Sequence, residues 1–331
     1  MKTILLAPMD GLTDYFIRQI FAQLGGYDQC VTEFLRITTA VQSKFAFYRC
    51  SPELNPHHYL DNPNLCGKTL TGHPVYLQLL GSDPELLAEN AFRASQLGCL
   101  GIDINFGCPA KTVNRHHGGA NLLKYPETIY KIIQTIRQAL PSSVDLTAKM
   151  RLGYEDKSLA IENAQAIESA GASRITVHAR TKIEGYRPPA HWEYIARIKQ
   201  NVNIDIIANG EIWNIEDYLK CITICECDHI MLGRGAFCCP DLALQIKSLQ
   251  QKNQYTPMQW NQVQPLLENY FQLLVQQGVV PKKVTGRIKL WLKWLSPTYE
   301  EANEIFNLIK HDKQLDTIIN ILNIKKPNSL K

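Results

Sequence analysis

Cys108 stands between Gly107 and Pro109, just after a short apolar run. A cysteine within a core strand is ordinarily a small hydrophobe. On a Gly-Cys-Pro loop its backbone is fixed and its thiol can face a ligand, as nucleophile or as general acid. Asn114, Gly118, Gly119 and Ala120 follow, as in a loop that closes over a ligand. Lys149 and His178 end two further runs. Such a lysine can form a Schiff base, or set a positive charge beside a cofactor that becomes anionic. A lone histidine there is often only a hydrogen-bonded core residue. Asn209-Gly210-Glu211 and Gly233-Arg234-Gly235 end two more. Glycines at such ends free backbone N–H groups for a phosphate, and Arg234 adds a permanent charge. Pro8-Met9-Asp10, Arg36, Gln78, Asn105 and Arg180 stand at comparable places.

These residues need a scaffold that gathers run ends at one face. Eight β-branched runs are visible: Thr3–Met9, Cys30–Leu35, Val75–Leu80, Gly101–Asn105, Asp145–Met150, Arg174–His178, Ile204–Ala208 and His229–Leu232. Amphipathic stretches lie between them: Asp14–Leu24, Pro84–Leu97, Pro126–Leu140, Leu159–Ala170, Trp192–Lys199, Ile215–Ile224 and Pro240–Leu249. The connection Thr38–His73 is irregular. Eight β/α units predict an α/β protein of the TIM (β/α)8 barrel class, whose chemistry sits at the C-terminal ends of the strands. An open doubly wound sheet would want a glycine-rich phosphate turn after its first strand, and Pro8-Met9-Asp10-Gly11 is not one. After Gln251 the strand signal stops. Trp260–Gln277, Lys282–Leu295, Tyr299–His311 and Gln314–Leu322 read as a C-terminal helical bundle. The expected division is a barrel over 1–250 and helices over 251–331.

The 331 residues are 45% hydrophobic and 20% charged, which excludes a disordered, collagen-like or coiled-coil chain. Ten cysteines show no secreted framework and no CxxC pair, so neither disulfides nor a structural metal are expected. No run approaches the roughly 18 apolar residues of a membrane span. A cytoplasmic monomer is the expectation. Net charge is +4, unevenly spread. Residues 251–331 hold eleven Lys or Arg against six acids, while the remainder is nearly balanced. That suggests an anionic macromolecule as partner, or else an ordinary solvated helical face.

The chain resembles the tRNA-dihydrouridine synthases, bacterial flavoenzymes that reduce uridines in tRNA. The resemblance rests on Ala7-Pro8-Met9-Asp10-Gly11, Gln78-Leu79-Leu80-Gly81, Asp103–Pro109 with Lys111 and Asn114, Gly118-Gly119-Ala120, Lys149–Gly153, Val177–Thr181, Asn209-Gly210-Glu211 and Gly233-Arg234-Gly235, all in the family's order. Thr32–Arg36, Gly185-Tyr186-Arg187, Gly210–Trp213 and Gly286–Lys289 with Trp291-Leu292 resemble most the class acting on uridine 16. Two features depart from the family pattern: Phe106, and the bulky, basic triplet Arg115-His116-His117.

The resemblance implies FMN across the barrel mouth, reduced by NADPH (or NADH) that docks transiently. Pro8, Met9 and Asp10 would pack on its ring. Gln78, Lys149 and His178 would reach its polar edge, and Asn209, Gly210, Glu211, Gly233 and Arg234 its phosphate end. The target uridine would leave the tRNA stack, receive hydride at C6 from flavin N5 and a proton at C5 from Cys108. Asn105 and Arg180 would hold the uracil, with Tyr186 and Arg36 nearby. Arg287, Lys289 and Trp294, with Lys310 on the next helix, would contact tRNA beside Lys282, Lys283 and Lys293. Trp291 and Leu295, spaced i and i+4, read instead as bundle core. The rivals are an FMN barrel reductase of a small molecule (dihydroorotate dehydrogenase or old yellow enzyme type), a cofactor-free aldolase-like barrel using Lys149, and a non-catalytic RNA-binding protein.

Overall fold

The structure, a computed structural model, describes residues 2–324; Lys325, Lys326 and Lys331 of the C-terminal charge count lie outside it. Eight parallel strands close into a barrel in chain order: β1 Ile4–Leu6, β2 Gln29–Arg36, β3 Val75–Leu80, β4 Gly101–Phe106, β5 Asp145–Arg151, β6 Arg174–His178, β7 Asp205–Asn209 and β8 His229–Leu232. The (β/α)8 expectation holds, with strand ends shifted by a residue or more at β1, β2, β4, β5 and β7.

Helices alternate with the strands: α1 Tyr15–Leu24, α2 Lys44–Cys50, α3 Pro84–Gln96, α4 Lys111–Arg115, α5 Pro126–Ala139, α6 Ala160–Ser169, α7 Trp192–Lys199, α8 Ile215–Cys225, α9 Arg234–Cys238 and α10 Leu242–Gln250. Their starts are chemically marked. Asp14, Asp83 and Asn214 each accept a backbone N–H as N-caps of α1, α3 and α8. The irregular connection holds α2 and three 3₁₀ turns that begin at Pro52, Pro56 and Pro63, because proline starts a turn but cannot continue a helix. Two elements had no periodic signal: α4, and α9 directly behind β8. Both are five residues long, too short to display a helical period.

The barrel interior is closed by Leu5, Ala7, Val31, Tyr76, Ile207 and Met231, while a much larger core lies between strands and helices. That outer core runs on into α11 Trp260–Gln276, α12 Pro281–Leu295, α13 Glu300–Ile309 and α14 Leu315–Ile321. Trp291 joins the two parts. Its ring is 6.0 Å from Phe21, 6.2 Å from Phe237 and 5.5 Å from Tyr270, and it is buried as the helical spacing implied. No helix among the described residues is long and apolar enough to cross a membrane.

Candidate active site

Register sets the site in tiers. In β3, β4 and β5, Gln78 faces Asp103 and Asp103 faces Thr147; one step up, Asn105 faces Lys149. One step further, Arg151 faces His178, which faces Asn209. Alternate residues of a barrel strand point inward, so these side chains stack toward the C-terminal mouth. There a cavity of about 540 Å³ opens, large enough for a cofactor-sized ligand. Pro8, Met9 and Asp10 form one part of its wall; Lys149, His178 and Asn209 another; Cys108, Tyr186, Gly210, Glu211, Gly233 and Arg234 complete it. With Phe34 of β2 also in the wall, residues from seven of the eight strand ends converge, β3 being the exception.

The lowest tier explains that exception. Gln78 is fully buried and is not in the cavity wall. Its Nε2 donates to Asp103 Oδ2 at 2.7 Å and its Oε1 accepts from Asn105 Nδ2 at 2.8 Å. Thr147 Oγ1 donates to the other Asp103 oxygen at 2.7 Å. Asn105 Oδ1 in turn accepts from the backbone N–H of Gly107 (2.9 Å) and Cys108 (2.8 Å). A polar ladder therefore rises from the barrel interior and sets the conformation of the cysteine loop. Gln78 and most of the hydrogen-bonding capacity of Asn105 are used in that ladder, where the family resemblance had them touching ligand.

The thiol is shaped by its surroundings. Burial pushes the Cys108 pKa up, against the Ala110 N–H; Asp10 adds to the rise, and Arg151 and Arg36 oppose it. It is protonated at neutral pH and can donate a proton, as a general acid must. Burial, then Arg151, lower Lys149 to about 8, with Asp103 opposing, and its Nζ donates to Asn209 Oδ1 at 2.9 Å. Burial and the cations Arg151, Lys149, Arg180 and Arg234 hold His178 well below its usual value, so its imidazole is neutral.

Two buried polar atoms of the cavity wall have no partner, His178 Nδ1 and Trp294 Nε1, and a third is Nη1 of Arg180, whose guanidinium pairs with the wall residue Glu211. Buried polar groups are nearly always satisfied, so such a group beside a cavity marks a place for ligand atoms. Arg180 is otherwise ion-paired to Glu211 and donates to Pro189 O at 3.3 Å. Glu211, in the left-handed region at φ 62, also accepts from Trp213 Nε1 at 3.1 Å. Gly210 sits at φ 109, and a Cβ there would come 3.3 Å from His178 Nε2, filling the floor of the cavity. Cations, orphaned polar atoms and a backbone held open suit a planar ligand that carries an anionic group.

The remaining sequence-predicted residues divide. Tyr186 lies between two guanidinium groups, 5.2 Å from Arg151 and 4.6 Å from Arg234. Trp294 reaches from α12 into the cavity wall and lies under Arg234 at 6.0 Å. Arg36 lines a neighbouring cavity instead. Arg287 is bound by the barrel: its Nη1 is 2.8 Å from Asp14 Oδ2, which also accepts from Tyr270 Oη at 3.0 Å. Lys289 donates to the backbone carbonyls of Lys310 and Asp312. Lys310 is exposed and donates to Asn307 Oδ1 at 3.0 Å. Arg151 and Trp213 were not singled out as site residues. Arg151 donates to Gly107 O at 2.9 Å and to Thr181 O and Gly185 O at 3.0 and 2.8 Å, tying the cysteine loop to the Tyr186 loop. Its signal was the i, i+2 spacing from Lys149, which puts both on one strand face. Trp213 had no local signal. No group of three His, Cys, Asp or Glu among the described residues could hold a metal ion.

Fold and site together define a (β/α)8 barrel with a protonated thiol in the wall of the cavity at its mouth. The family model described as Dihydrouridine synthase (Dus) matches residues 5–324, and the chain belongs to that family. It is similar to a protein of Pseudomonas syringae pv. tomato named tRNA-dihydrouridine(16) synthase, 46% identical over 96% of this chain and 98% of that one. A protein of the same name from Neisseria meningitidis serogroup A is 45% identical over 97% of this chain and 93% of its own. Among solved structures, a 2-naphthoyl-CoA reductase superposes with a TM-score of 0.55 at 11% identity, over 76% of this chain and 50% of that one, a likeness of fold alone.

Proposed function

We propose that this protein reduces the C5–C6 bond of uridine 16 in tRNA to dihydrouridine, with FMN as cofactor and NADPH as reductant. One observation carries the reading: Cys108, kept protonated by burial, stands in the wall of the cavity that also holds Lys149 and the orphaned His178 Nδ1. FMN, when bound, supplies the hydride. Pro8, Met9 and Asp10 pack against it, Lys149 offsets its negative charge, and Gly210, Gly233 and Arg234 take its phosphate. Asn209 holds Lys149 in place and Glu211 holds Arg180. Cys108 Sγ gives its proton to C5 of the uracil, and Arg151 nearby favours the thiolate that remains. Arg180 and the remaining N–H of Asn105 orient the base, and Tyr186 closes over it.

The division of labour follows the chain. Residues 1–250 carry the chemistry, and residues 251–331 present charge to tRNA and lend Trp294 to the mouth. The full-length similarity to proteins named tRNA-dihydrouridine(16) synthase supports position 16. The test is to map dihydrouridine in tRNA from a strain lacking the gene, before and after the gene is restored. Loss and recovery at position 16 alone is the expected result. Loss at another position would overturn the assignment of the uridine, and no loss anywhere would overturn the activity.

A further inference from the structure

Beside the mouth, a second cavity of about 640 Å³ opens between the ends of β2 and β3 and helix α4. Arg36, Arg115, His116 and His117 line it above an apolar floor that includes Leu80 and Val113. No carboxylate among the described residues forms an ion pair with either arginine. Arg36 donates to the Thr112 carbonyl at 3.4 Å. The acid in the wall, Asp83, is turned to the start of α3, where its Oδ1 accepts from Leu86 N–H at 2.8 Å. Two guanidinium groups and two imidazole rings face one cavity, and an anion bound between them would be held by charge-assisted hydrogen bonds from Arg36 and Arg115 and by ring N–H donors.

The same segment is fastened to the thiol loop. Asn114 Nδ2 donates to Cys108 O at 2.9 Å and Ala110 O at 2.8 Å, and Ala120 N–H donates to Cys108 O at 3.1 Å. Gly119, at φ 60, passes so close that a Cβ would lie 2.9 Å from Cys108 O. Whatever seats on Arg115, His116 and His117 therefore bears on the position of Cys108. A nucleotide whose base enters the adjoining mouth carries phosphates on both sides, and these must rest on the protein surface next to it.

We propose that this second cavity is a phosphate site for the RNA backbone flanking the reduced uridine, and that Arg115, His116 and His117 are among its ligands. The proposal rests on the tRNA-reductase reading above. The 2′-phosphate of NADPH has the same chemistry, and the test separates it from RNA. The variant is Arg115→Gln/His116→Gln/His117→Asn; asparagine tolerates the left-handed conformation that His117 adopts at φ 57. Binding of an unmodified tRNA transcript is titrated across a salt series, alongside steady-state KM for tRNA, NADPH and NADH.

The expected result is a tRNA Kd and KM raised about tenfold, with a salt slope shallower by about 1 for every phosphate left unneutralised. A single Arg115→Gln variant, at the exposed last residue of α4, should show the same direction at smaller size. An unaltered tRNA Kd and slope would overturn the site. A raised KM for NADPH but not NADH, with tRNA binding unmoved, would overturn it in favour of the dinucleotide. Because binding is titrated directly, failure of the wild type to form dihydrouridine would overturn the activity and leave the phosphate site judged on its own data.

Discussion

At the barrel mouth, His178 Nδ1 and Trp294 Nε1 are buried without a protein partner, and so is Arg180 Nη1, although the rest of that guanidinium is held by Glu211 and Pro189. On α12 the half-buried cations have partners: Arg287 holds Asp14 and Lys289 holds the carbonyls that end α13. Lys282, Lys283 and Lys293 on that helix are exposed, and no ion pair among the described residues involves them. The same residue types thus do three things. Buried and unpartnered atoms are open to a ligand under the proposed function; half-buried and paired cations fasten one part of the chain to another; exposed cations are left to meet phosphates in the same proposal. Burial and partner, not residue type, make the difference.

The comparison breaks first at Cys108. Cys108→Ala should leave FMN bound and lower dihydrouridine formation by at least about 100-fold, the usual worth of a general acid. Normal turnover, measured on tRNA transcripts, would remove the thiol from the mechanism. Next comes the joint between the parts. Trp291→Ala empties a site packed by Phe21, Phe237 and Tyr270 and should cost about 3–5 kcal/mol, read from urea unfolding. A cost below about 1 kcal/mol would mean that the helices rest on the barrel loosely.

Lys149 gives a pH signature. Its pKa of about 8 means that the cation is present below pH 8 and is lost as pH rises through that value. Affinity for FMN should therefore fall as pH rises from 7 to 9. Lys149→Gln should bind about tenfold more weakly at pH 7 and lose that dependence. A wild-type affinity that is flat across the range would reject Lys149 as the counter-charge. The smallest effects lie on α12 and sharpen its two roles. Arg287→Ala should lower stability by about 1–2 kcal/mol, since Asp14 loses a charged partner, and leave the salt slope of tRNA binding alone. Lys282→Gln/Lys283→Gln/Lys293→Gln should do the reverse: near-native stability and a slope shallower by about 1 for each lysine that had been neutralising a phosphate. A slope change in Arg287→Ala as large as in the lysine variant would return Arg287 to the RNA.

Much of this was legible along the chain. Apolar runs of period two, alternating with helical stretches, marked eight units, and the chemistry-bearing residues stood at run ends because barrel strands present them there. Cys108, Lys149, His178, Asn209 and Arg234 all reach one cavity. Where the reading differed, the cause was distance along the chain. Gln78 was expected at the ligand, but its partners Asp103 and Asn105 are on another strand. Arg287 looked free in a stretch that contains no acid, but its partner lies near the other end of the chain. Helices α4 and α9 were missed because one turn and a half carries no period.

By itself, the sequence determined the class of fold, which face carries the chemistry, and which residue types stand there. Those depend on local periodicity and on turn residues, which neighbouring positions encode. Only the tertiary structure decided that Gln78 and Asn105 support the thiol loop, that Arg287 clamps α1 while Trp294 enters the mouth, and that Arg36 and the Arg115–His117 triplet share a separate cavity. The physical reason is that burial and pairing are set by residues far apart in the chain that folding brings together. A side chain's charge state and free valences follow from those surroundings alone.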